Sequence, residues 1–321
     1  MDAGDQMSND DFTDKGVAAT LRLVSNSDEK EVPSESRSIE EHLKNAQFLI
    51  EILPYIQRWR GKIVVVKYGG NAMADNNVSM HFAEDIVLMK QVGLLPVVVH
   101  GGGPQIGDLM EKLGKKSEFR DGLRVTDAET LDIARMVLVG KVNRDIVGAI
   151  NVHGPHAVGV SGEDGGLITA AARNPELGFV GDVSSINPTL LVKLISEGLI
   201  PVMSTIGADA TGQAYNINAD TVAGAVAEAL KAEKIVYLTD VAGLYEDFDD
   251  ETSLIRRATV SELQEKIDSG LLSGGMIPKI EACVRAVRNG VSSAHLLDGR
   301  VPHVSLLELF TDLGIGTMIV P

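Results

Sequence analysis

Short runs of β-branched apolar residues, each closed by glycine, alternate along this chain with longer segments whose apolar residues recur every three or four positions. The first two runs are Ile63-Val64-Val65-Val66-Lys67-Tyr68-Gly69-Gly70 and Pro96-Val97-Val98-Val99-His100-Gly101-Gly102-Gly103-Pro104. Continuous rather than alternating hydrophobicity suits parallel strands buried on both faces. The pattern predicts strands at 63–67, 95–100, 156–160 and 200–204, separated by helices at 77–92, 104–114, 127–152 and 187–197. A second series follows, with a helix at 219–230, a strand at 234–239, helices near 259–268 and 278–289, and strands near 292–297 and 315–319. This is the rhythm of an α/β fold with a mainly parallel central sheet sandwiched by helices. Two pieces flanked by Gly and Asp, Arg120–Val125 and Gly178–Val183, read as hairpins over the strand ends, where such covers line substrate pockets.

The first 38 residues are rich in Asp, Ser, Glu and Asn and show little periodicity, so 1–38 is expected to be a disordered acidic tail. Residues 39–59 form the next unit. Leu43, Ala46, Phe48, Leu49, Ile50, Leu53 and Ile56 make an N-terminal helix with too much apolar surface for a free appendage, and Pro54 should kink or interrupt it. That helix either packs on its own domain or docks against another subunit. The remainder is expected to divide into lobes at 60–205 and 206–321, with no repeat between them.

Composition narrows the partners. A 44% hydrophobic content over 321 residues is enough for a large core in two lobes. A net charge of −16 argues against nucleic acid or an anionic membrane surface, so any phosphate contact must be local. No apolar run reaches the roughly 20 residues that span a bilayer, and the N-terminus lacks an apolar signal core, so a cytoplasmic protein is expected. The single cysteine, Cys283, excludes an intramolecular disulfide and reads as a packing residue.

Ligands of parallel sheets bind beyond the carboxyl ends of the strands. Both glycine turns lie there. Pro104 suits the first position of a helix whose free N–H groups attract an anion, and Lys67 adds a full positive charge. Familiar glycine motifs fit poorly. Ile106 stands where a dinucleotide fingerprint needs its last Gly, and no Gly precedes Gly61-Lys62 or Gly140-Lys141 at the Walker A distance. Glu163 stands where a nucleophile elbow around Ser161 needs Gly.

Two further helix starts matter, Asn216-Ile217-Asn218-Ala219-Asp220 and Ser273-Gly274-Gly275-Met276-Ile277-Pro278-Lys279. Helix capping accounts for Asn218 and Asp220 without any function. Lys279 opposes the helix dipole in a first turn, a placement that a phosphate ligand would explain.

These segments together resemble the N-acetyl-L-glutamate kinases, a family of the amino acid kinase fold that serves arginine biosynthesis. The resemblance covers roughly 41–321. It is carried by 66–73, 99–106, Asp121-Gly122-Leu123-Arg124-Val125-Thr126, 216–220, Asp240-Val241-Ala242-Gly243-Leu244 and 274–279, in the family's order. It implies transfer of the γ-phosphoryl of ATP, carried with Mg²⁺, to the side-chain carboxylate of N-acetyl-L-glutamate. By resemblance Lys67 and Lys279 flank the phosphoryl group and Asp220 holds both. Gly70, Gly102 and Gly103 approach the phosphates or the reacting carboxylate. Arg124 takes the substrate α-carboxylate and Asn216 its amide. Asp240, Gly243, Leu244, Tyr245, Ser273, Gly274, Gly275 and Met276 match nucleotide-binding segments. His100 is expected to pack rather than react, and no protein-held metal is implied.

Some family members carry an N-terminal helix that interlaces dimers into a hexamer, a trimer of dimers, inhibited by L-arginine. Residues 40–57 resemble that helix, and Tyr55, His295, Glu308 and Gly314 match the arginine site. Three alternatives remain open. They are a carbamate, glutamate, aspartate or UMP kinase of the same fold, a sensor of arginine or nucleotide without turnover, and an α/β oxidoreductase.

Overall fold

The computed structural model describes residues 39–69, 73, 76–120, 122–247, 250–270 and 276–321. The expected tail 1–38 lies outside the described residues, as do Gly70, Ser273, Gly274 and Gly275. The chain divides into two units, one ending at Glu51 and the other running from Ile52 to Pro321.

In the first unit Ile39–Glu51 is a helix with no buried residue. The second opens with a short helix, Leu53–Trp59, with Pro54 in its first turn. Pro54 has no N–H to donate to the carbonyl four residues earlier, which accounts for the interruption at Ile52. Ile52, Tyr55 and Ile56 pack against the core, and Trp59 Nε1 donates to Leu309 O at 2.7 Å.

Strand β1 (Ile63–Tyr68) leads to helix Asn76–Gln91 and then to β2 (Leu95–His100), which pairs with β1 in parallel and places Val99 beside Lys67. Helix Gly103–Lys112 follows, then the hairpin of β3 (Phe119–Arg120) and β4 (Leu123–Arg124), as the sequence predicts. The single helix predicted at 127–152 is α-helical over Ala128–Arg135, widens to a π-helical stretch at Met136–Val142, and returns to α-helix over Asn143–Asn151. Next come β5 (Ala157–Ser161), β6 (Ile168–Ala172), β7 (Val180–Ile186), helix Thr189–Ser196, β8 (Ile200–Ser204), β9 (Ile206–Ala208) and β10 (Ala214–Ile217). Helix Ala219–Ala229 precedes β11 (Lys234–Thr239), the hairpin of β12 (Leu244–Tyr245) and β13 (Leu254–Ile255), and β14 (Arg257–Thr259). Helices Val260–Asp268 and Met276–Arg288, β15 (Ser293–Asp298), helix Val304–Phe310 and β16 (Thr317–Val320) complete the chain.

Eight strands form one sheet in the order β14-β16-β15-β11-β1-β2-β8-β5, with only β15 and β16 antiparallel. Successive side chains point to opposite faces, so each strand feeds two cores. Val64, Val66, Val98 and Val236 pack with Ile86, Met89 and Ile150 on one face; Val65, Val97, Val99 and Tyr237 pack with Val222, Val226 and Val287 on the other. Cys283 belongs to the second core. Burial raises its thiol well above the usual value, which fits packing and not reactivity. Among the described residues no helix is long and apolar enough to cross a membrane.

The predicted hairpin at Gly178–Val183 is corrected by the structure. Gly178 forms an isolated bridge to Thr126, and Val180 onward is β7, which pairs with β6 and β10 in a small closed barrel ordered β10-β7-β6-β9. This barrel and the β3–β4 hairpin stand near the carboxyl ends of β1 and β2, where both contribute to the cavities described next.

Candidate active site

Lys67 is the penultimate residue of β1, next to where the main chain leaves the sheet. Gly69 keeps the space beside its ammonium, since a Cβ there would sit 3.2 Å from Lys67 Nζ. Asp220 occupies the first turn of helix Ala219–Ala229. Capping falls to Asn218, whose Oδ1 accepts from the Asp220 and Thr221 amides at 2.8 and 3.2 Å. The Asp220 carboxylate is thus free to turn outward, and its Oδ1 lies 2.9 Å from Lys67 Nζ, with the side chains only 10% and 11% exposed. No hydrogen bond aligns on that oxygen among the described residues, so the contact is an ion pair by distance.

This pair borders a cavity of about 250 Å³ that Gly102, Gly103, Arg124 and Asn216 also line. Helix Gly103–Lys112 begins at its wall with Pro104 in the first turn, an arrangement suited to an anion. A Cβ at Gly102 would come 2.6 Å from Leu138 Cδ2 in the π-helical stretch, so that buried side chain would have to shift. Arg124 is buried and clamps the hairpin. Its Nη2 donates to Gly103 O at 2.8 Å, Nη1 donates to Ser117 Oγ and faces Met110 Sδ at 3.3 Å, and its guanidinium lies 4.7 Å from the Phe119 ring. Burial lowers its pKa, yet guanidinium remains charged at neutral pH. Asn216 Nδ2 donates to Thr126 Oγ1 at 3.4 Å, and that hydroxyl donates to Arg124 O at 2.8 Å, so the two predicted substrate residues are joined through Thr126.

A second cavity of about 910 Å³ holds Lys279 and Arg285 on one wall and shares Gly122, Leu123, Asn218 and Asp220 with the first. Asp220 therefore stands at the seam, with Lys67 in one cavity and Lys279 in the other. Among the described residues Lys279 makes no ion pair. Of the predicted nucleotide residues, Met276 begins helix Met276–Arg288 and packs against the core. Asp240, Gly243, Leu244 and Tyr245 line neither cavity; Leu244 N donates to Thr317 Oγ1 at 2.8 Å, fastening their loop to β16.

His100 is structural, as expected. Asn143 Nδ2 donates to its Nε2 at 3.1 Å and to Val202 O at 2.9 Å, which leaves Nδ1–H to donate to Gly101 O at 2.9 Å. Complete burial lowers its pKa to about 4, so a neutral imidazole fixes the glycine turn to the helix behind it.

Of the predicted regulatory residues, His295 and Glu308 meet. Glu308 Oε1 lies 2.7 Å from His295 Nδ1 and 3.3 Å from Lys234 Nζ. Burial alone would raise the Glu308 carboxyl, but His295 and Lys234 hold it below its usual value; burial lowers the pKa of Lys234 and of His295. Lys234 Nζ also lies 4.8 Å from the Trp59 ring. The Tyr55 hydroxyl meets Asp312, and Gly314 O accepts from Arg256. Sequence reasoning missed Lys234. Its signal was a lysine opening the apolar strand Lys234-Ile235-Val236-Tyr237-Leu238, where it is buried.

The amino acid kinase family profile matches residues 62–298. An acetylglutamate kinase of Saccharopolyspora erythraea is 55% identical over 285 residues, covering 87% of this chain and 93% of that protein. One from a Nostoc species is 54% identical over 274 residues, covering 85% and 92%. Among solved structures, the N-acetylglutamate synthase of Neisseria gonorrhoeae complexed with coenzyme A and L-arginine is 27% identical with a TM-score of 0.74. The match covers 86% of this chain but 65% of that one, under two thirds of the synthase. A carbamate kinase from Giardia lamblia, 17% identical with a TM-score of 0.61 over 81% of this chain and 98% of its own, shares the fold. The chain therefore belongs to the amino acid kinase family and, within it, to the acetylglutamate kinases.

Proposed function

We propose that this chain transfers the γ-phosphoryl group of ATP to the side-chain carboxylate of N-acetyl-L-glutamate in arginine biosynthesis, with Lys67, Asp220 and Lys279 as its catalytic group. The observation that carries the assignment is the position of Asp220, paired with Lys67 at the seam of a small cavity and a larger one that holds Lys279. A carboxylate oxygen attacks the γ-phosphorus, the bond to the β,γ-bridging oxygen breaks, and ADP leaves. The acceptor, with a solution pKa of roughly 4.3, is already ionised, so no protein base is needed. The site must instead align two anions and neutralise charge on the transferring group. Lys67 and Lys279 supply that charge from opposite sides, and Asp220 keeps them from drifting apart. Arg124 takes the α-carboxylate, Asn216 the amide, and the Gly70 and Gly102–Gly103 backbone approaches the reacting oxygens.

The larger cavity accommodates the nucleotide, and the residues matching nucleotide-binding segments, Asp240 to Tyr245 and Ser273 to Met276, serve its recognition. Magnesium arrives with ATP, as is usual for a cation that keeps its waters and binds phosphates. Residues 60–205 then act as the N-acetylglutamate lobe and 206–321 as the ATP lobe. L-arginine binds near Tyr55, His295, Glu308 and Gly314 as inhibitor, its guanidinium meeting the Glu308 carboxylate; support comes from that buried carboxylate and from the arginine complex of the related synthase. The apolar helix 39–51 is the element through which dimers join as a hexamer.

Hydroxylamine trapping of acyl phosphate tests the reaction. With MgATP, N-acetyl-L-glutamate should yield hydroxamate while L-glutamate, L-aspartate and carbamate do not. ATP consumption with one of those acceptors alone would reassign the substrate, and none with any acceptor would favour a sensor.

A further inference from the structure

Away from both cavities, helix Asn76–Gln91 and the loop after β15 bring together two histidines and two carboxylates that the phosphoryl-transfer reading does not use. His81, Glu84 and His303 each offer one ligand atom, and these atoms all lie within 4.8 Å of one another. His303 Nε2 is 3.9 Å from Glu84 Oε2, and the imidazoles of His81 and His303 are 4.7 Å apart between ring centres. His81 Nδ1 is buried and has no hydrogen-bond partner among the described residues. A buried ring nitrogen left unpaired is a cost that a ligand would remove.

The geometry points to a binding site for one zinc-class divalent cation, held by His81, Glu84 and His303. Asp85 completes it from behind. His303 Nδ1 donates to the buried Asp85 Oδ1 at 2.6 Å, which fixes the tautomer with the Nε2 lone pair directed away from that carboxylate. A carboxylate behind a ligating histidine is the usual outer support of a zinc site. Two histidines and one carboxylate match the ligand sets that leave a fourth position for water.

The spacing is close to what coordination needs. Bonds of about 2.0–2.2 Å in a tetrahedron put ligand atoms about 3.4 Å apart. The 3.9 Å pair must therefore contract by about 0.5 Å, and a pair at the 4.8 Å limit by about 1.4 Å. Glu84, whose side chain is 48% exposed, can make that movement while Asp85 holds His303, itself 42% exposed. The same exposure gives a hydrated ion an entry path. A cation beside the N-terminus of helix Val304–Phe310 is opposed by the helix dipole, but Glu84 and Asp85 bring two negative charges to meet it. The bound ion would tie helix Asn76–Gln91 to helix Val304–Phe310, which carries Glu308.

The test is calorimetric titration of the tag-free full-length chain with ZnCl₂, beside Glu84→Gln, His81→Ala and Asp85→Asn, each checked for folding by its thermal transition. Glu84 lies on an exposed helix face, so its variant does not endanger the fold. The proposal requires one saturable zinc per chain, at least tenfold weaker binding in Glu84→Gln and His81→Ala, and about 10- to 100-fold weaker binding in Asp85→Asn through the loss of outer support. No saturable binding to the wild type, or binding unchanged in the folded Glu84→Gln and His81→Ala variants, would overturn it and leave the cluster a histidine–carboxylate clasp.

Discussion

Asp220→Asn separates a catalytic role for Asp220 from the capping role that its helix-start position suggests. At 2.9 Å the charges of Lys67 and Asp220 attract by about 6 kcal/mol at an effective dielectric constant of about 20, and by about 1.4 kcal/mol in bulk water. The pair borders a cavity that admits solvent, so the working value falls between these limits and toward the lower one. Removing the charge lets Lys67 leave the position where it meets the transferring phosphoryl. Loss of one aligned electrostatic group costs about a hundredfold in kcat, or about 2.7 kcal/mol. Folding stability should hardly change, because the Asn218 side chain caps the helix and retains its bonds to the Asp220 and Thr221 amides. Asn218→Ala is the stability counterpart, expected to cost about 1 kcal/mol in urea unfolding. Steady-state kinetics and urea unfolding of both variants decide the matter. An Asp220→Asn protein with kcat within about threefold of wild type and a cap-sized loss of stability would make Asp220 a capping residue instead.

Three other outcomes follow from the same geometry. Arg124→Lys keeps the charge but not the planar fork, so KM for N-acetyl-L-glutamate should rise about 10- to 100-fold with a smaller change in kcat, as initial-rate kinetics would show. His100 is buried neutral with its pKa lowered to about 4, while the unfolded chain binds a proton near 6.5; stability is therefore full above that value and falls with pH down to about 4. Between pH 7 and pH 5 this group should remove about 2 kcal/mol, measured by urea unfolding, and His100→Gln should flatten that part of the profile. Glu308→Gln should raise the arginine concentration for half-inhibition by at least about tenfold, through loss of a charge-assisted contact. Its thermal transition must be followed as well, because buried Lys234 loses its counter-charge.

The central sheet was legible because β1 and β2 are buried on both faces and read as unbroken valine runs, a pattern that local sequence alone determines. The barrel was not. In β6 the stretch Ile168-Thr169-Ala170-Ala171-Ala172 is short and rich in alanine, and β7 pairs antiparallel with β6 across the connection at 173–179 and in parallel with the later β10. A piece such as Gly178–Val183 therefore looks like a hairpin until its distant neighbours are known. The π-helical stretch at Met136–Val142 likewise keeps a helical apolar pattern and gives no separate signal. At the site, the lysines and the Asn218 cap were visible as motifs. The division of labour between Asn218 and Asp220 was not, because it depends on the direction in which the carboxylate turns. The His81–Glu84–His303 cluster joins helix Asn76–Gln91 to a residue far later in the chain, a pairing that local spacing does not reveal.

If two lysines from different cavities act on one phosphoryl group, removing either must slow its transfer. Hydroxamate formation from MgATP and N-acetyl-L-glutamate by the wild type, Lys67→Ala and Lys279→Ala tests it most directly. Each folded variant should lose about 10²- to 10³-fold in rate. A folded Lys279→Ala protein that forms hydroxamate at the wild-type rate would contradict it.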